Sequence, residues 1–453
     1  MRNFPTHFWT RFTVEYKDRV AFIRPDGANA VTSETYWEWT RRVQRLAVGL
    51  LDAGFETGAR IGFIAKNSQE WIDLAFAAWM VGGCVVPLPS DRDRKESLRC
   101  LARCGAEWIV VTDDAALVAI RGSGNLPEHL KFIALKKLVA NKLDGVFDTD
   151  VLLERGKYRQ QRGAMSDLGK RTYELDPTLP SIVLFPFDPG DDPHGAFFQG
   201  GKLAVMLEYL GADLMLEESD QLAVLINNGW FYGFLVTIAA LLQGRTIVGA
   251  ESVADLDAAL GLLKPTVLVT GPAYIEGQTR RWKERLEKAP GFMTDNAEDK
   301  AFGFGRMLSI VGEKAARKVL YEPIRQDLGG RAKRIYLVGD ALGLQPSDDV
   351  YDILHQAGVE VLGMFGLPET GISHIERPGA VRRHSVGRPV QGYVCKIDGA
   401  RGEETGMVLI RSDVLSEGYW DDTGPRPRDE DGYVQTHVIG HLASGYLFLD
   451  SNP

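Results

Sequence analysis

From about residue 35 to residue 365, short apolar runs alternate with segments of helical period, and this alternation limits the folds open to the chain. Tyr36 to Leu51 carries apolar residues at helical spacing and ends at Gly54. Arg60 to Ala65 reads as a strand, Ser68 to Val81 as a helix, and Cys84 to Leu88 as a strand punctuated by Pro87 and Pro89. Strand-like runs recur at Trp108 to Thr112, Ser181 to Phe187, Ala223 to Ile226, Pro265 to Thr270, Arg334 to Val338 and Val359 to Met364. Helices such as Leu235 to Leu242 and Asp348 to Gln356 fall between them. Strands that alternate with helices demand crossover connections, so the pattern predicts an α/β fold with parallel sheets wrapped by helices.

Past Gly371 the texture changes. Gln391 to Ile397, Gly406 to Ile410 and Gly445 to Leu449 read as short strands divided by Gly/Asp/Pro turns, which predicts a small, mostly antiparallel unit. Asp114 to Glu174 is more charged and less regular, and is expected to connect two sheet subdomains across the surface. The expected organisation is two βαβ subdomains, 1–175 and 176–370, and a small β subdomain, 371–453. The window Phe304 to Leu328, with Lys314, Arg317, Lys318 and Arg325, reads as a helix with a solvated face.

With 52 Lys and Arg against 61 Asp and Glu, the net charge is -9. Without a concentrated basic face, phosphate-backbone binding is excluded as the main activity, so no nucleic-acid partner is expected. Four cysteines, Cys84, Cys100, Cys104 and Cys395, are too few to staple a chain of 453 residues, and none has zinc spacing. Cys100 and Cys104 read as a buried pair on one helix. Residues 1–20 lack the apolar core of a leader, and no stretch reaches the ~18 apolar residues of a membrane span. A cytoplasmic protein without a transmembrane segment is expected.

Several stretches, in order, resemble the adenylate-forming (AMP-binding) superfamily, and within it the N-terminal domain of long-chain acyl-CoA synthetases. They are Thr35-Tyr36, Gly58-Ala59-Arg60-Ile61, Asn67-Ser68-Gln69-Glu70-Trp71 and Gly82-Gly83-Cys84-Val85-Val86-Pro87-Leu88, then Lys264-Pro265-Thr266-Val267-Leu268 with Gly271-Pro272. Leu328-Gly329-Gly330-Arg331, Val338-Gly339-Asp340-Ala341-Leu342 and Gly363-Met364-Phe365-Gly366-Leu367-Pro368-Glu369-Thr370 follow. Val386-Gly387-Arg388-Pro389, Gly418-Tyr419-Trp420 and Asp431-Gly432-Tyr433 complete the set. The resemblance implies a reaction in which a carboxylate attacks the ATP α-phosphate to form an acyl-adenylate, and a thiol then displaces AMP. It also implies a hydroxyl-rich phosphate loop with a Lys, a Glu for Mg²⁺, an Asp for the ribose, and a mobile C-terminal lid with a second Lys.

The chain departs from that pattern at the chemistry. Where the family has its Thr/Ser/Gly loop, this chain reads Phe185-Pro186-Phe187-Asp188-Pro189-Gly190-Asp191-Asp192-Pro193-His194-Gly195. Gly190, Pro193 and Gly195 match, the hydroxyl donors are replaced, two prolines lack N–H groups, and His194 stands at the Lys. A carboxylate about 5 Å from a phosphate charge costs on the order of 3 kcal/mol at an effective dielectric near 20. Glu369 matches the Mg²⁺ ligand and Phe365 the adenine-facing aromatic, while Pro368 replaces a Thr. Val438 stands where the ribose Asp is expected, and His437 and His441 read as turn histidines. Trp230 occupies the usual His of the aromatic gate, and core packing is its simpler role. The family's lid would follow Tyr446 to Asp450, and is expected to be absent.

The resulting expectation is a degenerate ligase-like protein of fatty or carboxylic acid metabolism. It would bind a fatty or aryl acid, an acyl-CoA or a partner enzyme, without autonomous ligase activity and without a required cofactor. Its vestigial nucleotide site would hold Gly190, His194, Gly195, Phe365, Gly366 and Glu369, with Glu369 as metal ligand, and its substrate pocket Trp230, Gly233, Gly339 and Gly363. The alternative is an AMP-forming ligase using Mg-ATP through Asp191, Asp192 and Glu369, with a lid supplied in trans. A third class, acyl transfer through a nucleophile, lacks a Gly-x-Ser-x-Gly elbow or an activated cysteine.

Overall fold

The structure, a computed structural model, describes residues 3–123, 126–127, 129–139, 144–160, 163–187, 190, 192–287, 313–339, 346–399, 405–420, 429 and 431–450. Three sheets account for the strands of these residues.

The first sheet orders its strands as Gly418–Tyr419, Ala196–Gln199, Pro180–Leu184, Cys84–Leu88, Arg60–Ile64, Trp108–Val111, Lys131–Ala134 and Val146–Asp148. Its central strands are parallel. Both faces are covered by helices, which is why these strands read as unbroken apolar runs: all five residues of Cys84–Leu88 are buried. The second sheet runs Arg388–Pro389, Gly371–Ile375, Glu360–Leu367, Arg334–Val338, Val267–Thr270, Gln221–Leu225, Thr246–Val248, Val20–Asp26 and Ala30–Thr35. The helices Tyr36–Asp52, Gln69–Met80 and Phe231–Leu242 bury their apolar faces in one core that joins these sheets, with Trp39, Trp71, Trp79 and Phe234 at its centre. Ser and Thr caps start two of them: Thr35 forms a reciprocal box with Glu38, and Ser68 accepts the Trp71 N–H. A third sheet, Tyr393–Asp398, Thr405–Ser412, Val434–Ala443 and Tyr446–Leu449, is antiparallel and packs against the end of the second.

The α/β class and the small antiparallel unit are as expected. Sheet membership does not follow chain order, however. Val20–Asp26 and Ala30–Thr35 join the second sheet, whereas Pro180–Leu184 and Ala196–Gln199 join the first, across the boundary set at residue 175. Asp114 to Glu174 is a correction. Rather than a surface connection, it contributes two strands of the first sheet and the helices Asp114–Arg121, Thr149–Gln160 and Ala164–Glu174. Gly156 of the second of these helices abuts the Arg45 backbone of Tyr36–Asp52, so closely that a Cβ there would lie 1.9 Å from a carbonyl oxygen. The window Phe304 to Leu328 contains the helix Glu313–Asp327, and 304–312 lie outside the described residues.

Candidate functional site

The second sheet reverses strand order at Gln221–Leu225, whose neighbours are Thr246–Val248 and Val267–Thr270. Ligands of open α/β sheets sit beyond the carboxyl ends of the strands at such a point. The gate residues Asn227 to Gly233 follow Gln221–Leu225 directly, and Gly339, Gly363, Phe365 and Gly366 lie at or near the carboxyl ends of the two neighbouring strands Arg334–Val338 and Glu360–Leu367.

Around Glu369 the structure gathers residues far apart in sequence. The edge strand Gly418–Tyr419 pairs with Ala196–Gln199, placing Tyr419 opposite Ala196. From there the Tyr419 hydroxyl donates to Glu369 Oε1 at 2.8 Å, while its ring lies 5.4 Å from that of His194. His194 Nε2 is 3.5 Å from Asp192, and Asp192 is 3.5 Å from Arg103. Gly195 accepts the Trp420 N–H at 2.9 Å, and a Cβ on it would strike Val183 and the Phe185 ring. Gly190 has φ +63°, a value that glycine adopts without strain, and its carbonyl accepts from Arg99 at 3.4 Å. Asp188, Pro189 and Asp191 lie outside the described residues, as do Asp340, Ala341 and Leu342.

The remaining site residues are packed against the protein itself. Phe365 is 0% exposed. A Cβ on Gly366 would lie 2.0 Å from the Gly371 carbonyl oxygen, and one on Gly363 2.2 Å from that of Ser385. The Tyr232 hydroxyl lies 2.6 Å from the Gly366 carbonyl and 3.0 Å from that of Gly339, and accepts the Gly366 N–H at 2.9 Å. It thereby ties the ends of two strands together. Glu376 is buried beneath, its carboxylate accepting the N–H groups of Gly363 at 2.9 Å and Arg382 at 2.6 Å. Burial pushes its acid up to about 7 despite these bonds, and burial alone drives neighbouring His374 down to about 3. The cavity that Gly339 and Gly363 line with Tyr351 and Val386 has about 10 Å³ among the described residues, roughly the space of one water.

At the gate, Trp230 is half-buried and stacks on Phe187 at 4.4 Å and 19°. The Arg92 guanidinium lies 4.9 Å from the Trp230 ring and donates to the carbonyls of Pro186 and Phe187, so it fastens the loop to the gate. Gly233 is buried in the helix Phe231–Leu242. At the ribose position Val438 is buried, Thr436 and His437 occupy an irregularity of Val434–Ala443, and His437 has φ +58°. His441 stacks on Phe448 and pairs with Asp450 at 3.3 Å. No metal-binding group of three His, Cys, Asp or Glu residues occurs among the described residues.

Thus His194, Gly195 and Glu369 come together, and Phe365, Gly366, Gly339 and Gly363 form an adjoining closed layer, while Trp230 stands with the loop at the gate. The residues that hold these groups, Tyr419, Tyr232, Arg92 and Glu376, carried no role in the sequence reading. An aromatic hydroxyl in Gly418-Tyr419-Trp420, or a lone arginine after a strand, is a signal only once pairing is known.

Fold and residue order together define an acyl-CoA synthetase-type α/β domain. The chain belongs to the AMP-binding enzyme family, whose model matches residues 9–182 and 194–420 and breaks off across the loop between them. It is 23% identical over 448 residues to "Long-chain-fatty-acid--CoA ligase FadD15" of Mycobacterium bovis, covering 92% of this chain and 69% of that protein. To "Long-chain-fatty-acid--CoA ligase heimdall" of Drosophila melanogaster it is 22% identical, covering 96% and 67%. The N-terminal domain of FACL13 from Mycobacterium tuberculosis superposes with a TM-score of 0.72 at 16% identity, covering 100% of both chains. No helix among the described residues is long and apolar enough to cross a membrane.

Proposed function

We propose that this chain is a ligase-like protein of carboxylic acid metabolism that binds an acyl ligand or a partner enzyme without activating acids autonomously. The observation that carries this reading is the loop Phe185 to Gly195, which holds no Ser, Thr or Lys where the family's phosphate loop would stand and whose His194 lies beside Asp192 and Tyr419. The loop offers none of the hydroxyl or lysine donors that would hold ATP in the family's pose, and no step through it is derived. The break in the family match at 183–193 falls on the same loop. The similar ligases named above, together with "Feruloyl-CoA synthase" and "Indoleacetate--CoA ligase", suggest a fatty or aryl acid, or its CoA ester, as ligand. The proposed setting is the cytoplasm, in keeping with four free thiols, of which Cys84, Cys100 and Cys104 are buried.

The test is a thermal shift panel with Mg-ATP, palmitate, ferulate, indoleacetate and palmitoyl-CoA, run beside a pyrophosphate-release assay. A ligand at a hundred times its Kd stabilises by about 2.7 kcal/mol, so a shift with an acid or acyl-CoA but none with Mg-ATP is expected. Pyrophosphate release that depends on an acid overturns the reading. A second reading is favoured by one contact, the 2.8 Å bond that holds half-buried Glu369 in place. Under it the chain is an AMP-forming ligase using Glu369, Asp191 and Asp192 to hold Mg-ATP. Adding the family's lid domain as a separate chain would then produce turnover.

A further inference from the structure

The two sides of the gate are held very differently. Residues 226–230 leave the switch-point strand Gln221–Leu225 and are laced to segments that follow strands of the first sheet. Asn67 donates from Nδ2 to the Ile226 carbonyl at 2.8 Å and accepts the Asn228 N–H at 2.6 Å, and Asn227 Nδ2 donates to Ser90 Oγ at 2.9 Å. Gly229 lies backbone against backbone: a Cβ on it would stand 2.1 Å from the Leu88 carbonyl carbon and the Pro89 nitrogen. Trp230 then opens the helix Phe231–Leu242, with its own N–H on the Asn227 carbonyl at 2.9 Å. This side is close-packed and bonded along its length, so it stays in place.

Phe187 forms the other side. It follows Pro186, which has no N–H to tie down, and it is 67% exposed, so parting from Trp230 uncovers little further apolar surface. Neither ring belongs to a hydrophobic core of the described residues. Among those residues Phe187 has one ring contact, the Trp230 stack, and one hydrogen-bond partner, Arg92, which donates to its carbonyl at 2.9 Å. Few buried contacts and solvent-facing bonds mark a segment that opens locally. Arg92 itself is rooted in the fixed side. Its N–H donates to the Pro89 carbonyl at 3.2 Å, next to the Gly229 contact, and from there its guanidinium reaches the Trp230 face and the carbonyls of Pro186 and Phe187 together. Charge-assisted donation to two carbonyls is the stronger of the two ties on Phe187. Farther along the loop, Arg99 contacts Gly190 and Arg103 contacts Asp192, so losing Arg92 frees the 186–187 segment alone.

We propose that Arg92 is the latch of a door with one moving leaf: Phe187 swings off a fixed Trp230 and opens the way to the carboxyl ends of the second sheet's strands, where ligands of such sheets sit. What passes through, a fatty or aryl acid or its CoA ester, rests on the function proposed above, whereas the latch rests on the contacts just given. The full chain is labelled with 5-fluorotryptophan, and the Trp230 resonance among the nine tryptophans is assigned with Trp230→Phe. In the wild type Phe187→Ala shifts that resonance, because a stacked ring is removed. In an Arg92→Ala background the same substitution shifts it little, because the ring has already left, while the other resonances hold their positions and report a retained fold. Should the alanine protein fail to fold, Arg92→Lys serves in its place, since an ammonium cannot span two carbonyls and a ring at once. The latch is overturned if Phe187→Ala shifts Trp230 as much without Arg92 as with it. Stopped-flow binding of palmitate and palmitoyl-CoA adds the second reading. Association and dissociation both quicken about tenfold in Arg92→Ala, the effect of one charge-assisted bond on an opening equilibrium, with little change in Kd. An unchanged association rate overturns the door. Binding of neither ligand removes the acyl reading, and the fluorine spectra alone then uphold or overturn the moving leaf.

Discussion

Glu376 offers a direct test of how tightly the closed layer is held. Its carboxyl is 1% exposed beneath Gly363, and burial raises its acid from 4.5 to about 7. The N–H groups of Gly363 and Arg382 and the nearby Arg382 charge pull the other way, and burial outweighs them. Because the folded state binds this proton more tightly than the unfolded chain, its stabilisation is complete below pH 4.5 and is lost as pH rises through about 7. A shift of that size corresponds to on the order of 3 kcal/mol across the window. Replacing Glu376 with Gln removes the titration at the cost of presenting an amide N–H to a site that supplied only donors, so the variant is less stable at pH 5. The decisive quantity is the change with pH, followed by guanidinium unfolding of both proteins at half-unit steps from pH 4.5 to 8. Relative to Glu376→Gln, the wild type should lose stability as pH rises, and the deficit of the variant should shrink. A constant difference between the two, or a wild type that gains on the variant with rising pH, would refute the assignment of burial as the controlling effect.

Tyr232→Phe removes the hydroxyl that joins Gly366 to Gly339 and leaves the buried Gly366 N–H without that acceptor. A loss of about 1–3 kcal/mol in urea unfolding is expected, and no loss would show that water replaces the hydroxyl. Gly363→Ala places a methyl 2.2 Å from the Ser385 carbonyl oxygen. Backbone must move to admit it, so destabilisation of about 1–3 kcal/mol is expected by the same measurement, whereas a neutral effect would mean that the strand end is looser than its packing implies.

The fold was legible where physics leaves a local signature. Arg334–Val338 and Cys84–Leu88 are buried on both faces and therefore read as continuous apolar runs. Asp348–Gln356 alternates buried and exposed residues at helical period, and its bounds are those expected. Ala30–Thr35 escaped because it is a polar edge strand with four exposed residues and no apolar run. Lys131–Ala134 and Val146–Asp148 escaped because they are short and set among charged residues, so pairing with the sheet rather than their own pattern makes them strands. At the site, Glu369 and Phe365 were legible through the order of neighbouring motifs. What closes around them was not: Tyr232 meets Gly366 134 residues away, and Arg92 reaches Phe187 across 95. Such contacts follow from sheet order, which short-range periodicity does not encode.

That distinction bears on why nucleotide would be refused. Sequence alone points to repulsion by the acidic loop, but Asp192 is 69% exposed, and Arg103 lies 3.5 Å from its carboxylate. An exposed charge interacts at closer to the dielectric of water, where a contact at 4 Å is worth about 1 kcal/mol, and salt weakens it further. Under the proposed function the stronger obstacle is the composition of the loop, which offers a triphosphate neither the hydroxyls nor the lysine of the family's pattern between Phe185 and Gly195. Neutralising the loop should therefore change little. Asp192→Asn is expected to leave Mg-ATP without a thermal shift at low and high salt alike, with a binding titration as the check. If that single substitution, or salt alone, brought Mg-ATP affinity into the micromolar range, charge rather than the missing donors would be the barrier.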